Sequence, residues 1–143
     1  MKSSLRLTIY DSRFLSKPHK NLDVWQRSIR LVEESYRLVR NFPKYEEYGI
    51  TSQIRRSAVS IPANIAEGAA RQTKKEFIQF LHTAQGSLSE LDTHLEISKN
   101  LNYINEASIS DISMIMGDID RMLTGLIKSV KRESYGNTVN RKS

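Results

Sequence analysis

The sequence contains no cysteine, which excludes disulfide bonds and thiolate metal sites and fits a reducing compartment. Its six glycines are scattered, so neither a phosphate-binding loop nor a dinucleotide-binding glycine motif is present. The nucleophile motif Gly-x-Ser-x-Gly is also missing. No apolar run approaches the roughly 18 to 20 residues needed to cross a bilayer. These absences predict a cytoplasmic protein that is not an enzyme, carries no cofactor and does not enter a membrane.

Histidine is scarce, and its placement argues against a bound metal. His19 lies near the start of the chain, and His82 and His94 are twelve residues apart on one predicted helix. That separation is too long for the two to share an ion. The Glu-x-x-His pairs of di-iron bundles are absent as well. We predict no metal site and expect these histidines to lie in solvent or at the edge of a core.

What the sequence does contain is helical periodicity, in four successive segments. Apolar residues recur there at steps of three and four, and no segment alternates as a strand does. The predicted helices cover residues 22–41, 51–69, 73–100 and 107–132. Because the connections are short, consecutive helices should be antiparallel, which predicts an all-α, up-down-up-down four-helix bundle. We expect a flexible basic arm over 1–20, the bundle over 21–133 and a disordered tail over 134–143.

The periodicity also predicts which residues form the core, and three local features refine it. Thr51 is the expected N-cap of helix 2, Pro62 should kink that helix without ending it, and Thr73 with Glu76 forms a capping box for helix 3. Small residues at Gly86 and Ser87 would admit another helix closely. The predicted inward faces are Trp25, Ile29, Val32, Tyr36 and Val39 on helix 1, widened by Val24, Leu31 and Leu38; Ile54, Ala58, Ile61 and Ile65 on helix 2; Phe77, Leu81, Ala84, Leu88, Leu91 and Leu95 on helix 3; and Ile112, Ile115, Ile119, Met122, Leu126 and Val130 on helix 4.

Charge is distributed unevenly along the chain, whose net charge is +6. Residues 1–20 and 128–143 each carry +4, so the middle of the chain is slightly acidic. Within the middle, residues 55–75 carry +4 and residues 76–127 carry −6. This polarity can steer a polyanion to one side of the bundle, or bring the basic face of one subunit to the acidic face of another.

Basic side chains are therefore the candidate binding residues. Arg55 and Arg56 stand on an otherwise small and apolar helix, and phosphate contact is one reading of them, with Arg71, Lys74 and Lys75. The other reading is that one arginine pairs with a carboxylate such as Glu46 or Glu67 at an interface.

Helix 1 and the segment after it supply further candidates. Arg30 and Arg37 lie on the polar arc of helix 1, where Glu34 and Glu33 stand at i,i+4 spacing and can neutralise them. Tyr45 and Tyr48 lie near the Arg55–Arg56 patch and could stack on bases. Packing within the protein is the alternative for both tyrosines.

Five motifs resemble those of a known bacterial family. They are the Leu-Asp-Val-Trp-Gln of 22–26, the Phe-Pro-x-x-Glu-x-Tyr-Gly corner of 42–49, the stretch from Ser-Gln-Ile-Arg-Arg at 52–56 to Glu67-Gly68, the segment 76–91, and Arg-Met-Leu-x-Gly-Leu-Ile-Lys-Ser at 121–129. Over residues 19 to 131 the chain resembles the four-helix-bundle proteins encoded in intervening sequences of 23S rRNA genes. The arm and the tail fall outside the resemblance.

The resemblance implies an antiparallel bundle that assembles into a ring, typically a pentamer. The family is also similar, more distantly, to the accessory proteins of diversity-generating retroelements, which have the same architecture and bind nucleic acid and a reverse transcriptase. The family pattern contains no catalytic residue. Because the ribosomal label of the family reflects where its genes lie, it implies no ribosomal role.

Two functional hypotheses follow. In the first, an oligomeric bundle binds structured RNA or DNA through backbone-directed basic residues, namely Arg30, Arg37, Arg55, Arg56, Arg71, Lys74 and Lys75. In the second, a ring-shaped scaffold recruits a protein partner, such as a nucleic-acid enzyme, and does not itself bind nucleic acid.

Overall fold

A computed structural model describes residues 17–142, with side chains described over 17–133. Four α-helices make up the fold: α1 (Asp23–Val39), α2 (Ile50–Ala69), α3 (Lys74–Asn100) and α4 (Glu106–Lys142). Two short 3₁₀ helices, Pro18–Asn21 and Lys44–Glu46, precede α1 and α2. No strand occurs in this part of the chain, so the all-α prediction is confirmed.

The helices pack in chain order, and α1 closes the bundle against α4. At one end the α1–α2 and α3–α4 connections meet, where the rings of Phe42 and Tyr103 are 5.4 Å apart. At the other end Lys74, at the start of α3, lies 3.6 Å from Glu133 of α4. These contacts require antiparallel neighbours, which is the predicted up-down-up-down arrangement.

The core is aliphatic, and α2 and α3 supply its centre. All four predicted inward residues of α2 are fully buried, and so are five of the six on α3, with Phe77 half-buried. On α4 the buried face is rotated slightly from the prediction: Leu123 and Ile127 are buried, while Met122 and Leu126 are half-buried. The apolar stripe of α4 is several residues wide, so the periodicity alone does not fix which of the neighbouring apolar residues lie at its buried centre.

The buried face of α1 differs more from the predicted stripe. It consists of Val24, Ser28, Leu31, Ser35 and Val39, whereas Trp25 and Val32 are half-buried and Tyr36 is 42% exposed. Two serines occupy the core because their hydroxyls donate to carbonyls of their own helix at 2.7 Å. A search for apolar periodicity passes over such serines, although it does find Val24, Leu31 and Val39.

The N-cap of α2 is Gly49 and not Thr51, which is a correction to the sequence prediction. The first helical hydrogen bond runs from the amide of Gln53 to the carbonyl of Gly49 at 3.2 Å. Thr51 is already inside the helix, 2% exposed, and its hydroxyl makes no hydrogen bond within the described residues. As predicted, α2 continues through Pro62, which is buried.

Both ends of α3 are capped by side chains or turn geometry. The Thr73 hydroxyl accepts the amide N–H of Glu76 at 3.2 Å, which confirms Thr73 as the predicted N-cap. The Glu76 carboxylate accepts the Thr73 hydroxyl at 2.8 Å and not the backbone N–H that a full capping box requires. At the other end Asn102 adopts a φ of 63°. The amide of Tyr103 then reaches the carbonyl of Ser98, and that of Asn102 reaches Lys99, both at 3.0 Å. This pairing is a Schellman motif.

The chain ends only partly follow the predicted boundaries. Residues 1–16 of the expected arm lie outside the described residues, as does residue 143. Within the arm, Pro18–Asn21 forms the first 3₁₀ helix. Helix α4 continues to Lys142, ten residues past the predicted end and through nearly all of the segment expected to be disordered. Nothing in that segment forbids a helix, because it contains no proline.

Helices α2 and α3 approach most closely where their residues are small. A Cβ on Gly68 would lie 2.7 Å from the Cβ of Phe80, so only glycine fits there. Farther along, the Ser60 and Ser87 hydroxyl oxygens are 2.7 Å apart. The predicted close approach is thus found at Ser87, but Gly86 is exposed and a Cβ there would meet nothing within 4 Å.

Candidate nucleic-acid interface

The seven predicted basic residues do not form one patch. Arg55 and Arg56 lie at the start of α2, whereas Arg71, Lys74 and Lys75 surround its end and the start of α3. Arg56 and the last residue of α2, Ala69, are thirteen positions apart, which corresponds to about 20 Å of helix. Arg55 and Arg56 therefore form no compact patch with the other three, because the helix carries the two groups to opposite ends of the bundle. Their joint contact with phosphates stays a prediction.

Arg55 is held by two contacts. Its guanidinium donates to the carboxylate of Glu47 at 2.8 Å and lies 5.6 Å from the ring centre of Tyr36. This hydrogen bond lowers the pKa of Glu47 and raises that of Arg55, since each partner stabilises the charged form of the other. The carboxylate partner differs from the two predicted, because Glu46 accepts the Tyr103 hydroxyl and Glu67 accepts Arg71. Arg55 is thus paired within its own chain.

Arg71 and Lys74 are also paired. The Arg71 guanidinium donates to Glu67 at 2.7 Å, one turn earlier on α2, and lies 4.8 Å from the ring centre of Phe80. Lys74 pairs with Glu133 across the α3–α4 contact. Both cations tie elements of the bundle together, and this engages part of their charge.

On α1 the predicted pairing is only half formed. Arg37 contacts both Glu33 and Glu34, as the i,i+4 and i,i+3 spacings allow. Arg30 makes no ion pair within the described residues, so the expected Arg30–Glu34 pair is absent. A shallow groove of about 410 Å³ runs along these residues, beside Gln26 and Ile29.

Five exposed cations of α1, α2, α3 and their connections have no carboxylate within 4.0 Å among residues 17–133. We name them the free cations; they are Arg30, Arg40, Lys44, Arg56 and Lys75. Three belong to the predicted set. Arg40 and Lys44 were missed because they gain significance only when folding brings the end of α1 beside the start of α2.

The two tyrosines of the α1–α2 connection do not pack within the protein. Tyr48 is 99% exposed and Tyr45 is 79% exposed. Tyr45 touches the bundle through its hydroxyl oxygen, which lies 3.4 Å from that of Tyr103. For both residues the packing alternative is therefore wrong within the described chain.

The fold turns the sequence polarity into two sides. Residues 22–75, which include α1 and α2, carry ten basic and six acidic side chains; residues 76–127, which include α3 and most of α4, carry two and eight. Because helices pack in chain order, the basic pair and the acidic pair lie side by side along the bundle. We call these the basic half and the acidic half.

Two further properties of the described residues concern membranes and metals. No helix among them is long and apolar enough to cross a bilayer. Within the same residues, no cluster of three or more histidine and acidic side chains is arranged to hold a metal ion. His94 is half-buried, and both its ring nitrogens are inaccessible and lack a hydrogen-bond partner in this part of the chain.

Comparison with known proteins adds the family to this geometry. Residues 20–125 match the 23S rRNA-intervening sequence protein family, which is most of the chain. The chain belongs to this family. A crystal structure of a family relative, a protein of unknown function from the S23 ribosomal protein family of Bacteroides thetaiotaomicron VPI-5482, is 28% identical, with a TM-score of 0.66. The match covers 73% of this chain and 98% of that one. No curated protein matches.

Proposed function

We propose that this intervening-sequence protein is a non-enzymatic, homo-oligomeric bundle that binds structured RNA or DNA through the phosphate backbone. The observation that carries the proposal is the set of five free cations on one half of the molecule. A phosphate can pair with such a cation without first displacing a carboxylate. Contacts of this kind give affinity without sequence readout.

The spacing of these cations favours a long polyanion over a small ligand. Arg56 is on the second turn of α2, Lys75 is on the first turn of α3, nineteen residues later, and Arg30 lies near the middle of α1. No single small molecule can contact all three, but a nucleic-acid backbone extends far enough to do so. The −6 charge of the acidic half would repel the same ligand, so binding is expected on the basic half alone.

The test measures binding of an RNA hairpin and a DNA hairpin by fluorescence anisotropy over a series of salt concentrations. The triple variant Arg30→Gln, Arg56→Gln, Lys75→Gln should bind more weakly. Its log–log salt slope should be smaller than that of the wild type by up to about 2.7, as three lost phosphate contacts predict.

The matched control is Lys128→Gln, Lys131→Gln, Arg132→Gln, which removes the same charge from exposed positions on α4. It should retain nearly wild-type affinity. Two results would contradict the proposal: no binding of wild type to either hairpin at low salt, or equal losses in the two triple variants.

The oligomeric part of the proposal has its own support. Facing halves of opposite charge can pair between subunits, and Val59 leaves α2 with an apolar side chain that is 42% exposed. A pentameric ring, which the family resemblance implies, should give a light-scattering mass of five times 16.5 kDa. A mass of one chain at micromolar concentration would end the ring proposal. The lack of cysteine is compatible with a cytoplasmic location, which we include in the proposal.

A second candidate function is a protein scaffold, and the acidic half favours it. Ile97 and Met114 are exposed there by 41% and 68%, among carboxylates that no nucleic acid would approach. A partner captured through this half should survive nuclease treatment. It should be lost from the variant Glu90→Gln, Asp92→Asn, Glu96→Gln while hairpin binding is kept. If hairpin binding and capture both persist in that variant, the acidic half is not the docking surface.

A further inference from the structure

We propose that Tyr45 and Tyr48 form a stacking platform for unpaired bases of a single-stranded RNA or DNA segment. This inference rests on the proposed nucleic-acid function and assigns one end of the bundle to a distinct role within it. The first argument is exposure, because these two rings are 79% and 99% accessible in a domain whose other large apolar groups are mostly buried. Such exposure leaves the ring faces free for a ligand.

Local backbone structure places the two tyrosines on one side of the connection. Lys44–Glu46 is a 3₁₀ helix, and the amides of Glu46, Glu47 and Gly49 each bond to the carbonyl three residues earlier, at 2.9 to 3.1 Å. Residues three apart in such turns lie on the same side of the backbone. Tyr45 and Tyr48 therefore belong to one side of the connection, which makes two adjacent stacking positions possible.

Side-chain contacts attach the connection that carries the two tyrosines to the bundle. Tyr103 donates its hydroxyl proton to Glu46 at 2.9 Å, and its ring packs against buried Phe42. Glu47 is fixed by Arg55 at 2.8 Å. Both glutamates of the connection are thus engaged, and an approaching phosphate meets less free negative charge there.

Three cations of the basic half lie at the same end of the bundle as the two tyrosines. Arg40 and Lys44 precede Tyr45, and Arg56 stands on the second turn of α2, at the same end of the bundle. None of the three has a carboxylate within 4.0 Å among the residues with described side chains. Exposed aromatic rings for bases next to cations for phosphates are the combination that binds single strands with little sequence preference. A duplex keeps its bases stacked inside and cannot use the rings in this way.

The test compares three probes of equal length: a single-stranded oligothymidine or oligouridine, an abasic oligodeoxynucleotide that retains only sugar and phosphate, and a duplex. The variant Tyr45→Leu, Tyr48→Leu should bind the single strands at least tenfold more weakly, given the size of base–aromatic stacking energies. Its affinity for the abasic strand and for the duplex should be unchanged, as should its salt slope. The oligothymidine and oligouridine arms report whether DNA, RNA or both use the platform.

Two controls isolate stacking from other effects. Tyr45→Phe, Tyr48→Phe keeps both rings and should keep single-strand affinity, whereas Met114→Ala removes a 68% exposed apolar group from the acidic half and should change nothing. Because both tyrosines are exposed, circular dichroism should show unchanged folding in every variant.

The failures of the two proposals are distinguishable. Wild-type binding to hairpin and duplex with no single-strand loss in the leucine variant would overturn the platform alone. Equal losses on abasic and ordinary strands would do the same. Absence of all binding would overturn both proposals. A smaller light-scattering mass for the leucine variant would assign the tyrosines to a second copy of the chain, and thereby overturn the platform.

Discussion

Gly68 sets the distance between α2 and α3 through its missing side chain. A Cβ at this position would meet the Cβ of Phe80 at 2.7 Å and the backbone carbonyl of Phe77 at 3.3 Å. Neither contact is the flexible end of a side chain, so relief requires the helices to move apart. Gly86, also inside a helix, has open space around its α-carbon.

Substitution of the two glycines should therefore have opposite effects. Gly68→Ala should lower the free energy of unfolding by about 1–3 kcal/mol through overpacking. Gly86→Ala should raise it by up to about 1 kcal/mol, because alanine favours the helix and meets no obstacle. Urea unfolding followed by circular dichroism measures both. Equal effects in the two variants would mean that α2 and α3 are not in close contact at Gly68.

At the scale of elements, the end of α3 depends on a residue in the left-handed region. Asn102 has a φ of 63°, a conformation that asparagine tolerates and β-branched residues do not. Asn102→Gly should stabilise the fold by about 0.5 kcal/mol, and Asn102→Val should destabilise it by about 1–2 kcal/mol. Thermal melting of the two variants beside wild type checks this. A valine variant as stable as wild type would show that the turn is not formed as described.

The contact between α1 and α4 is pH-dependent through Asp118. Its carboxylate accepts Arg27 of α1 at 2.7 Å and Arg121 of its own helix at 2.6 Å. Chiefly through the Arg27 bond, these cations lower the pKa of Asp118 below its ordinary 3.8. A lowered pKa means that the carboxylate stabilises the fold above pH 3.8, and that this contribution is lost as the pH falls through the folded-state value.

The variant Asp118→Asn should consequently lose less stability than wild type when the pH is reduced from about 6 to about 3. Asp111→Asn, which removes an exposed carboxylate with no ion pair in the described chain, is the control and should follow the wild-type pH curve. Urea midpoints at several pH values provide the comparison. If Asp118→Asn also follows the wild-type curve, the link between the helices contributes nothing to stability.

The helices could be predicted from the sequence because their signals are local. Periodicity and the Thr73 cap identified four helices, and α2 was correctly continued through Pro62. Features that leave no mark in the hydrophobic pattern could not be predicted. Ser28 and Ser35 enter the core because they bond to their own backbone, and the N-cap of α2 moves to Gly49, so neither follows from hydrophobicity.

The candidate site was predictable in composition but not in arrangement. Basic residues of α1, α2 and α3 could be singled out from the sequence, but which of them are free depends on partners far away in the chain. Lys74 finds Glu133 only because α4 returns past the start of α3. The exposure of Tyr48 likewise depends on how the α1–α2 connection sits against Tyr103.

For the whole molecule, the described core ends before the last segment of α4. Among residues with described side chains, every buried hydrophobic residue lies between Val24 and Val130. A chain truncated after Glu133 should thus unfold within about 0.5 kcal/mol of the full chain, as expected for surface changes. Urea unfolding of the full and the truncated chain measures this difference in the free energy of unfolding. A large loss would place part of the structural core beyond residue 133.

The serine pair between α2 and α3 fixes how far the two helices can slide along each other. Asn64 donates to the Ser60 hydroxyl at 2.9 Å, Ser60 meets Ser87 at 2.7 Å, and Ser87 reaches the carbonyl of Thr83 at 3.2 Å. Sliding by one helical turn, about 5.4 Å, would break the Ser60–Ser87 hydrogen bond and leave each hydroxyl only its bond within its own helix. Leucine and isoleucine side chains fill space almost interchangeably, so a purely aliphatic contact between α2 and α3 would accept several alignments of the two helices. The hydrogen bond between Ser60 and Ser87 favours one of these alignments.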